Sequence, residues 1–112
     1  MMSGPVTIMK HANQKVDRYS ITFDPRGLVL LAKAIAGAGR NVDGYVVEAI
    51  LVRLSEIGDP SWANELIFDS ESEVCSVRCT RKAPLVHLVR RFEKRLAGPG
   101  RLRRLVESLP EE

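Results

Sequence analysis

"DRYSITFDPRG", residues 17–27, decides how the rest of the chain is read. Polar and apolar residues alternate through it. Arg18, Ser20 and Thr22 fall on one side of an extended strand, and Tyr19, Ile21 and Phe23 on the other. Asp24 then offers a helix cap, with Pro25 at the first helical position, where a missing N–H costs nothing. Such a strand suits two architectures. It can be half of a two-stranded ribbon whose polar face enters a DNA groove. It can equally be one strand of a small sheet, dry on one side and wet on the other.

Upstream, "PVTIMK" (5–10) reads as a short strand and "HANQK" (11–15) as a turn. Downstream, Leu28, Leu31, Ala32 and Ile35 make the apolar stripe of a helix that "GAG" at 37–39 stops. A second helix begins at Asn41 or Asp43 and runs to Ile57, apolar over most of its circumference, which predicts packing on more than one side. Gly58 ends it, and a short helical piece is expected through Trp62. "ELIFD" (65–69) and "EVCSVRCT" (73–80) read as an antiparallel hairpin joined at "SES". A third long helix, with Pro84 in its first turn, continues to about Leu96. After "AGPG" a last helix over 101–108 buries Leu102, Leu105 and Val106. This order predicts an α+β fold: a small antiparallel sheet of three to four strands with helices packed on one face. The 112 residues make a single domain, 1–112, large enough for one core without disulfides or metals.

The apolar fraction of 45% and charged fraction of 28% are those of a globular protein. No apolar run approaches the ~20 residues of a membrane span. "MMSGPVTIMKHANQ" lacks the basic end and apolar core of a secretory signal, so cytoplasmic residence is expected. Cys75 and Cys79 share one face of their strand, ~13 Å apart at ~3.3 Å per residue, too far for a disulfide. They are expected to be buried thiols. With His11 and His87 as the only histidines, no zinc-ligand spacing exists, and neither metal nor cofactor is expected.

Charge is segregated. Residues 57–73 hold Asp59, Glu65, Asp69, Glu71 and Glu73 with no base, while residues 78–104 hold ten Lys and Arg against Glu93 alone. On a helical wheel Leu85, Leu88, Val89, Phe92 and Leu96 face one way, and His87, Arg90, Arg91, Lys94 and Arg95 face the other. That basic side is either a solvated face partly paired with the acidic segment or a charged docking surface for a protein. No aromatic residue is interleaved for base stacking, which disfavours single-stranded nucleic acid. No Ser/His/Asp or Cys/His set and no Gly-rich phosphate loop occurs at readable spacing, so no enzyme is expected. Asp69, Glu71 and Glu73 alternate across a tight turn, where solvent-washed carboxylates serve as turn formers and surface charge rather than acid–base catalysts.

The order strand, helix, "GR", helix over "RYSITFD" to "NVDGYVVEAILVRL" resembles the ribbon-helix-helix repressors. In that family polar strand residues, here Arg18, Ser20 and Thr22, read the major groove from a dimer's shared ribbon. The second helix is too apolar for so small a unit, however. From Asp24 to Ile57 the only bases are Arg26, Lys33, Arg40 and Arg53, a thin supply of phosphate contacts.

A second resemblance spans residues 17–108. "DGYVVEA" (43–49) and "LIFDSESEV" (66–74) together resemble the immunity protein 51 family, small antidotes of bacterial polymorphic toxin systems. Its pattern falls here on Tyr19 to Phe23, on Gly44, Tyr45 and Glu48, and on Phe68, Asp69 and Glu71. The chain departs from it at Val47, where the family often has an aromatic residue, and at Val74–Cys75, where it tends to have Met-Phe. The resemblance implies a cytoplasmic protein that binds a cognate toxin domain and neutralises it by occlusion, without catalysis, membrane or nucleic acid. Gly44 is expected to permit a close approach at the helix start, and Tyr45 to offer its ring to the core. The basic face (Arg90, Arg91, Lys94, Arg95) suits an acidic toxin surface. The acidic segment (Asp59, Asp69, Glu71, Glu73) suits a basic, nuclease-like cleft.

Overall fold

The computed structural model describes residues 8–10, 19–58 and 60–110. The expected turn over 11–15, Arg18 and Asp59 lie outside them. Among the described residues four antiparallel strands form one sheet: β1 (Ile8–Lys10), β2 (Tyr19–Phe23), β3 (Ile67–Ser70) and β4 (Cys75–Cys79), in the order β1-β2-β4-β3. The α+β expectation is met, with four strands and the helices on one face. Period-two alternation makes this legible, since Ile21 and Phe23 are buried and Thr22 is exposed between them. On β4 the same rhythm buries Cys75, Val77 and Cys79. Phe68 and Ser70 of β3 turn partly toward the helices, while Ile67 and Asp69 are exposed on the other side.

β2 pairs with β4 along its whole length, Tyr19 opposite Cys79 and Phe23 opposite Cys75. Its other edge pairs with β1, Ile8 opposite Ile21. Both edges are occupied within the chain. The ribbon-helix-helix arrangement needs one of them open to a second copy, and Thr22 of the would-be reading face sits 3.3 Å from the Ser76 hydroxyl.

Four helices lie among the described residues: α1 (Val29–Gly37), α2 (Gly44–Glu56), α3 (Lys82–Leu96) and α4 (Pro99–Glu107). Asp24 caps as expected, accepting from the Arg26 N–H at 3.0 Å, but what it caps is a 3₁₀ turn, Pro25–Gly27. Leu28 leaves helical geometry (φ −113°, ψ 85°), so α1 begins only at Val29. Ala34, not Ala32, completes the fully buried stripe of α1 with Leu31 and Ile35. Asp43, rather than Asn41, caps α2, accepting from the Val46 N–H at 2.9 Å. Pro99 opens α4, with Gly98 as its cap, so the break expected over 97–100 is shorter than the sequence suggests.

α2 and α3 lie on the sheet, and α4 packs against α1 and α3. The core draws on both halves of the described chain: Ile21 and Phe23 from β2, Ile50 and Leu54 from α2, Leu88 and Phe92 from α3, Leu102 and Val106 from α4. Phe23 and Phe92 meet edge to face, with centroids 5.1 Å apart and planes at 79°.

Cys75 and Cys79 are unpaired, fully buried thiols, as their strand spacing requires. Burial pushes the Cys75 thiol from its ordinary 9.0 up to about 11; the Ser70 hydroxyl pulls the other way, and the Glu48 and Asp69 charges add to the rise. The fold favours the neutral thiol, so this contribution is fully present below pH 9 and is lost as pH rises toward 11. Both cysteines are sealed from reagent by burial, and at Cys75 the nucleophilic thiolate is also disfavoured, so both should resist iodoacetamide in the native protein at pH 8 and react promptly in denaturant. Rapid native labelling at Cys75 would contradict this placement.

Candidate partner-binding site

The two sequence segments that carry the family resemblance meet in space. α2 starts directly against the β3–β4 turn. The Glu71 N–H donates to the Val74 carbonyl at 2.8 Å, which closes the turn around Ser72 and Glu73. The Gly44 N–H, one of the donors a helix start leaves without an internal acceptor, donates to the Ser72 carbonyl at 3.1 Å. Packing here is so close that a Cβ on Gly44 would overlap the carbonyl oxygens of Glu71 and Val74 and stand 2.6 Å from the Val74 carbonyl carbon. One helical turn along, the Ser70 hydroxyl donates to Glu48 Oε1 at 2.5 Å, tying the end of β3 to α2. Gly44, Glu48 and the turn therefore form one rigid unit, and half-buried Phe68 packs on the core beneath it.

Tyr45 corrects an expectation. Its side chain does not enter the core and is 53% exposed. α2 buries Val46, Val47, Ile50, Leu51 and Leu54. At 100° per residue, position 45 falls on the opposite side of the helix from Val47. Tyr45 directly follows Gly44, whose backbone meets the turn that displays Glu71 and Glu73, both exposed. The partial positive charge of a helix N-terminus favours acids there. Arg26 reaches Glu73 only at 3.9 Å, with both side chains largely in solvent. Asp69, one of the proposed contact acids, lies opposite Ser76 on the side of the sheet away from the helices. Glu65 is committed elsewhere: Arg81 Nε and Nη2 donate to its two carboxylate oxygens at 2.8 and 2.6 Å. That hydrogen bond holds the Glu65 carboxyl below its usual range.

The basic face of α3 divides. Arg90 and Lys94 are exposed, as the helical wheel predicts. Arg91 is not available to a partner. Its Nη1 donates to the carbonyls of Leu54 at 2.8 Å and Ile57 at 2.6 Å, satisfying the C-terminal end of α2. Its guanidinium also lies 5.0 Å from the centroid of the Trp62 ring, on which His87 stacks at 5.3 Å and 22°. Arg95 is half-buried and turns toward α2 and α4. These roles could not be read from α3 alone, because the carbonyls that Arg91 satisfies come from a helix 34 and 37 residues earlier.

Among the described residues no group of three or more His, Cys, Asp or Glu is placed to hold a metal ion. No helix among them is long and apolar enough to cross a membrane. Comparison with family models, curated proteins and solved structures returns no match.

Proposed function

We propose that this chain is an immunity-type antidote: it binds a cognate bacterial toxin domain in the cytoplasm and neutralises it by occlusion, carrying out no reaction itself. The supporting observation is that "DGYVVEA" and "LIFDSESEV", which carry the resemblance, fold into one rigid unit with an acidic rim, Glu71 and Glu73, beside an exposed aromatic ring, Tyr45. A pre-ordered turn loses little entropy on association. Exposed Tyr is a favoured anchor at protein interfaces, and acids at the rim speed encounter with a basic cleft. An occluding interface needs on the order of 1,600 Å² in total, so flanking residues, Asp69 among them, contribute as well. The acidic surface is preferred to the basic one because Arg91 is already engaged and Arg95 is half-buried.

The test is co-expression with the C-terminal toxin domain of the adjoining reading frame. The wild-type chain should restore growth and co-purify with that domain. Glu71→Lys with Glu73→Lys should weaken binding at least 100-fold, about 2.7 kcal/mol, and abolish rescue while the unfolding midpoint stays within a few degrees. Rescue lost instead through Arg90→Glu with Lys94→Glu would move the interface to α3. Absence of both complex and rescue would end the antidote reading.

A further inference from the structure

A second surface, remote in chemistry from the acidic turn, gathers arginines from three helices. Arg53 of α2, Arg95 of α3 and Arg104 of α4 line one cleft of about 320 Å³, together with Ile57, Leu105 and Ser108. Among the described residues neither Arg95 nor Arg104 has a carboxylate within ion-pair distance. Among the described residues Arg53 pairs only with Glu56, at 4.0 Å, with both side chains 58% exposed. All three arginines stand in the last turns of their helices, where a cation offsets the partial negative charge of the helix end. Those ends are already served in part: Arg91 satisfies the α2 carbonyls, and Lys94 shares the last turn of α3. Three arginines lining one cleft therefore exceed what the dipoles ask for, and an anion entering the cleft would offset their like charge.

A single carboxylate is matched by one guanidinium fork, whereas the charge of three arginines lining one cleft suits the several oxygens and double charge of a phosphate monoester. The cleft also shares Arg53 and Ser108 with a neighbouring trough of about 440 Å³, lined by Glu56, the partner of Arg53, and by the apolar Ala49, Val52, Leu109 and Pro110. That apolar wall is fixed in place, since Arg40 donates through Nη2 to the Leu109 carbonyl at 2.5 Å and through Nη1 to that of Pro110 at 3.1 Å. We propose that the two depressions form one site for a small organic phosphate monoester, its phosphate held by Arg53, Arg95 and Arg104 and its hydrocarbon part lying on Val52, Leu109 and Pro110. The site is separate from the proposed toxin surface and stands or falls without it.

Calorimetry with hexyl phosphate and with inorganic phosphate, at matched ionic strength, tests it. Hexyl phosphate should bind saturably and at least fivefold more tightly than inorganic phosphate, and should perturb the backbone amides of Arg53 and Ser108 in NMR spectra. Arg95→Gln with Arg104→Gln should weaken hexyl phosphate at least tenfold. Arg90→Gln, on the exposed face of α3 outside the cleft, should change it less than twofold. Should the double variant unfold, Arg104→Gln alone carries the comparison, since that side chain is exposed. No saturable binding of hexyl phosphate, or equal loss in Arg90→Gln, overturns the proposal. So does saturation by duplex DNA in the absence of any hexyl phosphate binding, which would mark a diffuse field for polyanions.

Discussion

Gly44→Ala should lower the unfolding free energy by about 3 kcal/mol or more, at the upper end of what overpacking costs. In an open helix the same change stabilises by about 1 kcal/mol, so the sign itself reports the contact. The new methyl group would meet backbone, the carbonyls of Glu71 and Val74, rather than a side chain able to rotate away. Relief requires the hairpin turn to part from α2. That breaks the hydrogen bond from Gly44 to Ser72 and disturbs the neighbouring link between Glu48 and Ser70. Urea unfolding checks this directly, with Gly100→Ala in α4 as the control. Nothing lies within 4 Å of a Cβ there, and a gain of a few tenths to about 1 kcal/mol is expected. A neutral Gly44→Ala would mean that the turn does not sit against the helix start. The rigid acidic rim would then have no foundation.

Phe92→Ala should cost about 3–5 kcal/mol, the range for removing a buried aromatic side chain. For a domain whose total stability is about 5–15 kcal/mol, that is a fifth or more of the whole. Phe92 is fully buried and joins α3 to the central strand through Phe23. Phe23→Ala should cost a similar amount. The double variant should lose less than the two single losses combined by about 0.5–1.5 kcal/mol, the value of an edge-to-face pair. Val29→Ala, 62% exposed on α1, should change stability by no more than about 0.5 kcal/mol. Additive losses at Phe23 and Phe92 would contradict the ring geometry.

Local patterns made most of the fold legible. Alternation placed Ile21, Phe23, Cys75 and Cys79 on the dry side of the sheet, because a strand's period is strict and one face is covered. Asp43 located the start of α2, and Pro84 and the Gly-Pro break located those of α3 and α4 to within a few positions; at Asp24 the 3₁₀ turn and the break at Leu28 delayed α1. Tyr45 was misread because α2 is apolar almost all round, so composition does not say which side is open. Arg91 was misread because a helical wheel knows only its own helix, and the two carbonyls that bind it belong to Leu54 of α2 and to Ile57 just past its end. The Gly44 step was legible as a close approach, but its partner was not. The convergence of Arg53, Arg95 and Arg104 had no sequence signal, since it depends on how three helix ends pack.

The pairing of β2 with β4 joins residues 19–23 to residues 75–79. On a ribosome the middle of the sheet therefore stays incomplete until at least residue 79 has cleared the exit tunnel. Until then Ile21 and Phe23 lack the neighbouring strand that helps enclose them. Nascent chains of this protein should thus be open to proteases and holdase chaperones for most of their synthesis and gain protection late and cooperatively, as non-local pairing demands.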